Sequence, residues 1–408
     1  MIINREFPFK SGESFLENEI NEVPDEFDQT FLFPIDISIH EEPTRKIKNP
    51  KVSTICVNKQ DYNTRKISYT LKSFIKIAKK MDEHLNVSQK HDQYRYDAFS
   101  DDVSRKIIKE MEKMSFSEND EIVIYGYWLH VPAEIALRLK SYFQKKGIKS
   151  IAISRAHRFD IYEERKKTGY LPSRQYLLNN LDEVFPVSND GKKYLKEKYS
   201  AYASKINCSR LGTYSQGLKK PSEKQFFHIL SVSRVVPVKR IELLIEALST
   251  WETNNVVWTH IGDGPELKRV KKMAQEKLHS VTFHFVGYKT NQEVYDYYKN
   301  NPVDVFVNVS SSEGIPVSMM EAISFGVPLV ATDVGGNREI AVPGMTGYLI
   351  NKKFPSEELI ACLEKLKGLN CQEKDMLEQS VREFWQFFYQ AQRNYAEFYE
   401  ELLQKLSK

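Results

Sequence analysis

From Phe226 onward, short apolar runs alternate with stretches in which apolar residues recur every three or four positions. "FFHILSVS", Phe226 to Ser233, predicts a buried strand, and Ile241, Leu244, Ile245 and Leu248 then follow at helical spacing. "VVWTHIG", "VTFHFVG", "VDVFVNVS", "VPLVAT" and "GYLI" predict further strands. Helices are expected between them: a polar one from about Pro265, and another from Asn291, read as its N-cap with Glu293 close behind. Apolar strands alternating with helices predict a parallel sheet covered on both faces.

The first half follows the same grammar less tidily. "MIIN", "EIVIYG" and "IKSIAIS" read as strands, the last two joined by an apolar-periodic helix over Val131 to Lys146. "EVFPVSNDGKKYLKEKY" reads as a strand and a helix starting near Asn189. Residues 37–120 are polar and lysine-rich, with helical stretches at Tyr69 to Leu85 and Asp101 to Met114, and read as a variable part of the first half without a more specific role. Lys205 to Gln225 lacks periodicity and reads as a linker, whereas Gln372 to Lys408 is almost all helical and rich in aromatics. The expected architecture is α/β: two doubly wound, Rossmann-like domains over residues 1–213 and 214–385 facing a central cleft. A last helix is expected over 386–408.

Length and composition agree with that division. A chain of 408 residues exceeds one ordinary core, and 41% hydrophobic with 28% charged residues suits a globular protein. The longest apolar stretches fall short of the ~20 residues a membrane helix needs, and "MIINREFPFK" shows no secretory pattern. Cys56, Cys208, Cys362 and Cys371 have no metal-ligand spacing, so reduced thiols in a cytoplasmic protein are expected. The formal charge of +4 is too mild to imply nucleic acid. Basic clusters such as "KKMAQEK" and "ERKK" read either as solvated helix faces or as contacts with an anionic membrane surface.

Ligands of open parallel sheets bind beyond the carboxyl ends of the strands, so the strand-to-helix loops hold the candidate chemistry. In "SVSRVVPVKR", Arg234 lies just past a strand and Lys239 at the start of the next helix, where two cations and the positive helix end would suit a diphosphate; the other reading makes Lys239 and Arg240 ordinary solvated residues beside a turn at Pro237. In "SSSEGIPVSMMEA", Glu313 precedes a helix that Pro316 is suited to open. Gly314 and Ile315 would present backbone N–H groups there, and Glu321 lies within the helix. Two carboxylates at that spacing suit two diols of one ligand; the other reading, which the residues alone favour slightly, is a helix-start acid at Glu313 and a core-edge acid at Glu321 paired with a lysine. Gly335 and Gly336 permit close backbone approach or simply a turn, and Gly12 in "FKSGES" has the same ambiguity. His157 in "SRAHRFD" follows a strand and is either structural or a hydrogen-bond donor to substrate. Neither a GxGxxG pattern nor a Walker-type phosphate loop occurs.

Together "SVSRVVPVKR", "IGDGPE", "FVGY", "EGIPVSMMEAISFGVPLVATDVGGNREI" and "GMTGYLI" resemble glycosyltransferase family 4, the retaining enzymes of GT-B fold. The resemblance is strongest over residues 229–349, and it implies that the last helix, 386–408, packs back on the first domain. "ISRAHRFDIYEER" and "VFPVSNDGKKYL" extend it more weakly towards bacterial surface-polysaccharide members. It implies that Glu313 contacts donor-sugar hydroxyls, that Glu321 holds the ribose, and that Arg234 and Lys239 neutralise the diphosphate. Gly12 would approach the donor phosphates, Gly287 and Tyr288 the base, and His157 the donor sugar. The implied reaction transfers a sugar from a nucleotide-sugar, such as a UDP- or GDP-sugar, to a glycan or lipid-linked hydroxyl with retention. It would need no metal and no further cofactor, and would run at the cytoplasmic side, with peripheral contact to the inner membrane face. The pathways implied are bacterial polysaccharide, capsule or lipopolysaccharide synthesis. A catalytically silent partner subunit of this fold and a nucleotide-sugar epimerase are the competing readings.

Overall fold

The computed structural model describes residues 1–10, 12–37, 41–57, 84–221 and 225–407. The helix expected over Tyr69 to Leu85 falls almost wholly outside them. By internal contacts the chain divides into two units, Met1–Leu211 with Gln392–Lys408, and Gly212–Ala391.

The first unit is built on β1 (Ile2–Asn4), β2 (Thr30–Pro34), β3 (Val52–Thr54), β4 (Glu121–Gly126), β5 (Lys149–Ala156) and β6 (Glu183–Pro186). All pair in parallel in the order β3-β2-β1-β4-β5-β6. The helix Val131–Lys145 buries Ile135, Leu139 and Phe143 in a core shared with Ile122 and Ile124 of β4. The helical stretch expected from Asp101 is the second half of a longer helix, Val87–Met111. Asn86 caps it: its side chain accepts from Gln89 N and the Gln89 side chain returns to Asn86 N, so each side chain satisfies a backbone donor at the helix start.

The aromatic C-terminal text forms two helices, Cys371–Phe388 and Ala391–Leu406. The second belongs to the first unit from Gln392 onward and buries Tyr395, Phe398, Tyr399 and Leu402. It covers a charge that would otherwise be costly. Arg155 of β5 is fully buried, pairs with Glu19 at 3.0 Å and lays its guanidinium over Phe398 at 4.3 Å from the ring centre.

In the second unit β7 (Phe227–Val232), β8 (Val256–Ile261), β9 (Thr282–Gly287), β10 (Val305–Asn308), β11 (Leu329–Thr332) and β12 (Gly347–Ile350) pair in parallel as β12-β11-β10-β7-β8-β9. The helix following β9 is capped by Thr290, one residue before the expected Asn291. Thr290 accepts from Glu293 N, and the Glu293 carboxylate reaches back to Thr290 N at 2.8 Å. Read from the first strand, both sheets have the same winding, which reverses between β1 and β4 and between β7 and β10. A crevice at the carboxyl ends of those strands is where such sheets take ligands.

Candidate functional site

At the β7/β10 reversal two loops meet. The one after β7 runs from Ser233 through a short turn, Pro237–Lys239, and the one after β10 leads into the helix Val317–Ser324. They bring Lys239 Nζ to 2.5 Å from Glu313 Oε1, and Asn308 Nδ2 donates to the same oxygen at 3.4 Å. Glu313 is buried, and burial alone would favour its neutral form. The Lys239 ammonium outweighs that and, with donors from Ser310 and Asn308, holds the carboxyl below its ordinary range.

Backbone hydrogen bonds lace the two loops together. Ser311 N donates to Val238 O at 2.8 Å. Arg240, in the left-handed region at φ 50°, sends Nε to Val309 O at 2.7 Å, Nη2 to Ser310 O at 3.1 Å and Nη1 to Lys352 O at 2.7 Å. Three carbonyls from two loops thus converge on one guanidinium, whose planar fork fits such a set. None of the Arg240 acceptors is near it in the chain, so the sequence carries no sign of this role.

Gly335 and Gly336 prove to be packing glycines. A Cβ on Gly335 would lie 2.0 Å from Glu313 O, and one on Gly336 would lie 2.1 Å from Gly314 O. Gly336 N donates to Gly314 O at 2.7 Å. The close approach they permit is therefore to the Glu313 loop itself.

Further expected residues lie in the same unit. Arg234 is exposed and has no ion pair among the described residues. Pro316 is the residue just before the helix rather than within its first turn. Lacking an N–H, it fixes the turn and leaves Gly314, Ile315 and the first helical residues to supply donors. Glu321 is buried, and it accepts from Tyr295 Oη at 3.2 Å rather than from a lysine. Burial raises it to about 7. Gly287 ends β9 at φ 82°, and Tyr288 after it is exposed.

Gly12 and His157 belong to the first unit. An added Cβ on Gly12 would meet the Glu6 carboxylate, and Gly12 O accepts from Arg45. His157 is buried between Trp128 and Phe15, with ring centres 4.5 and 5.2 Å away. Its Nε2 lies 3.1 Å from Tyr127 O, and a carbonyl only accepts, so the ring proton sits on Nε2. Burial, followed by the charge of Arg155, lowers its pKa to about 3, which keeps the ring neutral. One residue here carried no sequence signal. Glu13, left-handed at φ 55°, takes the backbone N–H groups of Arg5, Glu6 and Phe7 at 2.8–2.9 Å, and the Trp128 indole donates to it at 2.5 Å. It closes the loop after β1 on itself.

Residues 215–383 match the family model described as "Glycosyl transferases group 1". The second unit is a group 1 glycosyl transferase domain. The ordered motifs from Arg234 to Gly336 all fall inside the matched span of this glycosyl transferase domain. The chain is 25% identical over 236 residues to the "Putative colanic acid biosynthesis glycosyltransferase WcaL" of Salmonella typhimurium, a match taking in 55% of this chain and 56% of that one. The chain thus spans little more than half the length of that relative. Among solved structures, the apo form of the lipopolysaccharide outer core galactosyltransferase WaaB superposes with a TM-score of 0.66 at 16% identity, covering 99% of both chains. HepE of Anabaena in complex with UDP does so with a TM-score of 0.66 at 14% identity, again over 99% of both. At such identities these likenesses concern the fold, which is GT-B.

Proposed function

We propose that this protein is a retaining glycosyltransferase that moves a sugar from a nucleoside-diphosphate-sugar to a glycan or lipid-linked hydroxyl in the synthesis of a bacterial surface polysaccharide. The observation that carries the reading is the Lys239–Glu313 pair, clasped at the reversal of the second sheet beside the exposed Arg234. Departure of a nucleoside diphosphate builds negative charge on its terminal phosphate. Arg234, Lys239 and the N–H groups at the start of the helix Val317–Ser324 would offer that charge a positive surround. These groups would supply the stabilisation without a metal. Glu313 is ionised, so it accepts hydroxyls and serves as the sugar clamp. Lys239 balances its charge until the donor arrives. Glu321, buried beside Tyr295, is suited to the two hydroxyls of a ribose. The relatives named for colanic acid and lipopolysaccharide synthesis support the pathway class, and the UDP held by HepE supports a uridine nucleotide as the first donor to test.

A thermal-shift panel of nucleoside diphosphates and their sugars tests the reading, because a ligand that binds the folded state raises the melting temperature by mass action. One nucleotide is expected to stabilise the protein and to lose that effect in Lys239→Ala. A flat response to the whole panel would contradict the proposal.

A further inference from the structure

A cavity of about 370 Å³ opens within the first unit, and none of the residues assigned above to the donor lines it. Arg5 from the loop after β1, Trp128 and His130 from the loop after β4, and Phe159, Lys166 and Tyr170 beyond β5 form much of its wall. It therefore lies at the carboxyl edge of the sheet, by the β1/β4 reversal, and its volume suits a sugar-sized ligand.

The charges on this wall are unequal in their pairing. Arg5 is held by Asp36 at 2.6 Å, and Asp92 accepts from Thr168 Oγ1 at 3.0 Å. Lys166 has no carboxylate partner among the described residues, and its ammonium instead faces the Phe159 ring at 3.4 Å from the centre. Behind it, the buried Arg174 gives one N–H group to Asp160 O while its Nε and Nη1 have no partner. Burial first, and then the charges of Lys166, Arg174 and Arg5, push His130 well below its ordinary pKa, so the imidazole stays neutral among these cations. Burial lowers the Lys166 pKa to about 8 against the pull of Asp160 and, more weakly, Asp92; neither carboxylate is within ion-pair distance of it, which leaves the ammonium room for an oxyanion. Trp128 and the part of Phe159 that the Lys166 ammonium does not cover, with ring centres 6.2 Å apart and edge to face, add the apolar surface on which the C–H face of a pyranose packs.

We propose that this cavity takes an acceptor sugar bearing an oxyanion, with the charge on Lys166 and the ring face against Phe159 and Trp128. The proposal rests on reading the chain as a glycosyltransferase, but its test does not use transfer. The full chain, with no nucleotide present, is titrated calorimetrically with glucose 6-phosphate, glucuronate and glucose. At least one charged sugar is expected to bind about tenfold more tightly than glucose, since one salt link to a partly buried amine is worth about that factor. The better of the two identifies the anion as phosphate or carboxylate. Lys166→Gln is expected to erase the preference and Lys166→Arg to keep it, both with wild-type melting temperatures. Phe159→Leu should weaken all three sugars while sparing the preference for charge, and it serves as the second variant should Lys166→Gln fail to fold. Equal binding of glucose and both charged sugars, an unchanged preference in Lys166→Gln, or no saturable heat from any titrant overturns the proposal. Nucleotide binding is measured separately through Lys239, so failure of the transferase reading would appear there and leave these titrations interpretable.

Discussion

Lys239 and Glu313 stand 74 residues apart in the chain, yet the lysine Nζ lies 2.5 Å from the carboxylate. Each depends on the other: Glu313 is 7% exposed, and an ionised carboxylate at that depth needs a counter-charge. Lys239→Ala should therefore act twice. Removing a cation aimed at developing phosphate charge is expected to lower turnover roughly 100-fold or more. Leaving Glu313 unpaired should cost about 3 kcal/mol, the low end for breaking a buried pair, because Lys239 keeps 21% of its side chain exposed. Glu313→Gln should lose turnover with a smaller stability loss, since a buried neutral amide needs no counter-ion. Steady-state rates and denaturant midpoints separate the two effects, and normal turnover in either variant would remove the pair from the site.

Arg240→Ala removes the tie between the loops without touching the pair. Val309 O loses its donor, whereas Ser310 O keeps Thr332 Oγ1 at 2.6 Å and the exposed Lys352 O turns to water, so a stability loss of about 1–3 kcal/mol is expected. Turnover should fall about tenfold as the loops drift, with little change in which nucleotide is preferred. A variant with full activity and an unchanged melting temperature would show that the lacing does not position the site.

Much of this architecture could be read from the residues because the decisive signals are local. The second sheet is legible as six apolar runs, and "SVSRVVPVKR" and "SSSEGIPVSMMEA" sit where strand ends meet helix starts. β2 and β3 were not anticipated. β3 has three residues, Val52–Thr54, too few to show alternation, and β2 is a five-residue apolar run with no paired partner signal nearby. Arg240 and Glu13 escaped for another reason. What they do depends on carbonyl and amide groups brought near only by the fold, and a residue type alone does not reveal that. The glycine pair was visible, but its partner, the Glu313 loop, was not.

Gly336→Ala tests that partner. The added methyl would lie 2.1 Å from Gly314 O, a backbone atom that cannot rotate aside, and the 2.7 Å hydrogen bond between the two residues would open. A loss of about 1–3 kcal/mol is expected from the overpacking. Gly314 moves with the clash, and Glu313 next to it, so turnover should fall by about 100-fold, as a misplacement near 1 Å does elsewhere. Gly344→Ala provides a control for glycine removal at a site with φ 80° where nothing lies within 4 Å of the new methyl. Its cost should come from backbone strain alone, with turnover preserved.

Glu321 offers a prediction with a pH signature. Burial raises its pKa from 4.5 to about 7. Between those values the folded protein keeps a proton that the unfolded chain releases, so stability falls as pH rises through this window and the loss is complete above it. At 1.36 kcal/mol per unit the full difference is about 3 kcal/mol. Glu321→Gln cannot ionise and its side-chain oxygen still accepts from Tyr295. It should therefore be more stable than the natural protein at pH 8 by up to about 3 kcal/mol, with the gap closing towards pH 4.5. Asp160, raised from 3.8 to about 7, gives a slope of the same sign in both proteins, so the difference between them isolates Glu321. The same variant should bind the nucleotide more weakly, since an amide accepts two ribose hydroxyls less well than a carboxylate. Denaturant titrations at pH 5 and pH 8 read the first effect and nucleotide titration the second. A stability gap that does not widen with pH would mean that Glu321 is ionised at no cost in the folded state.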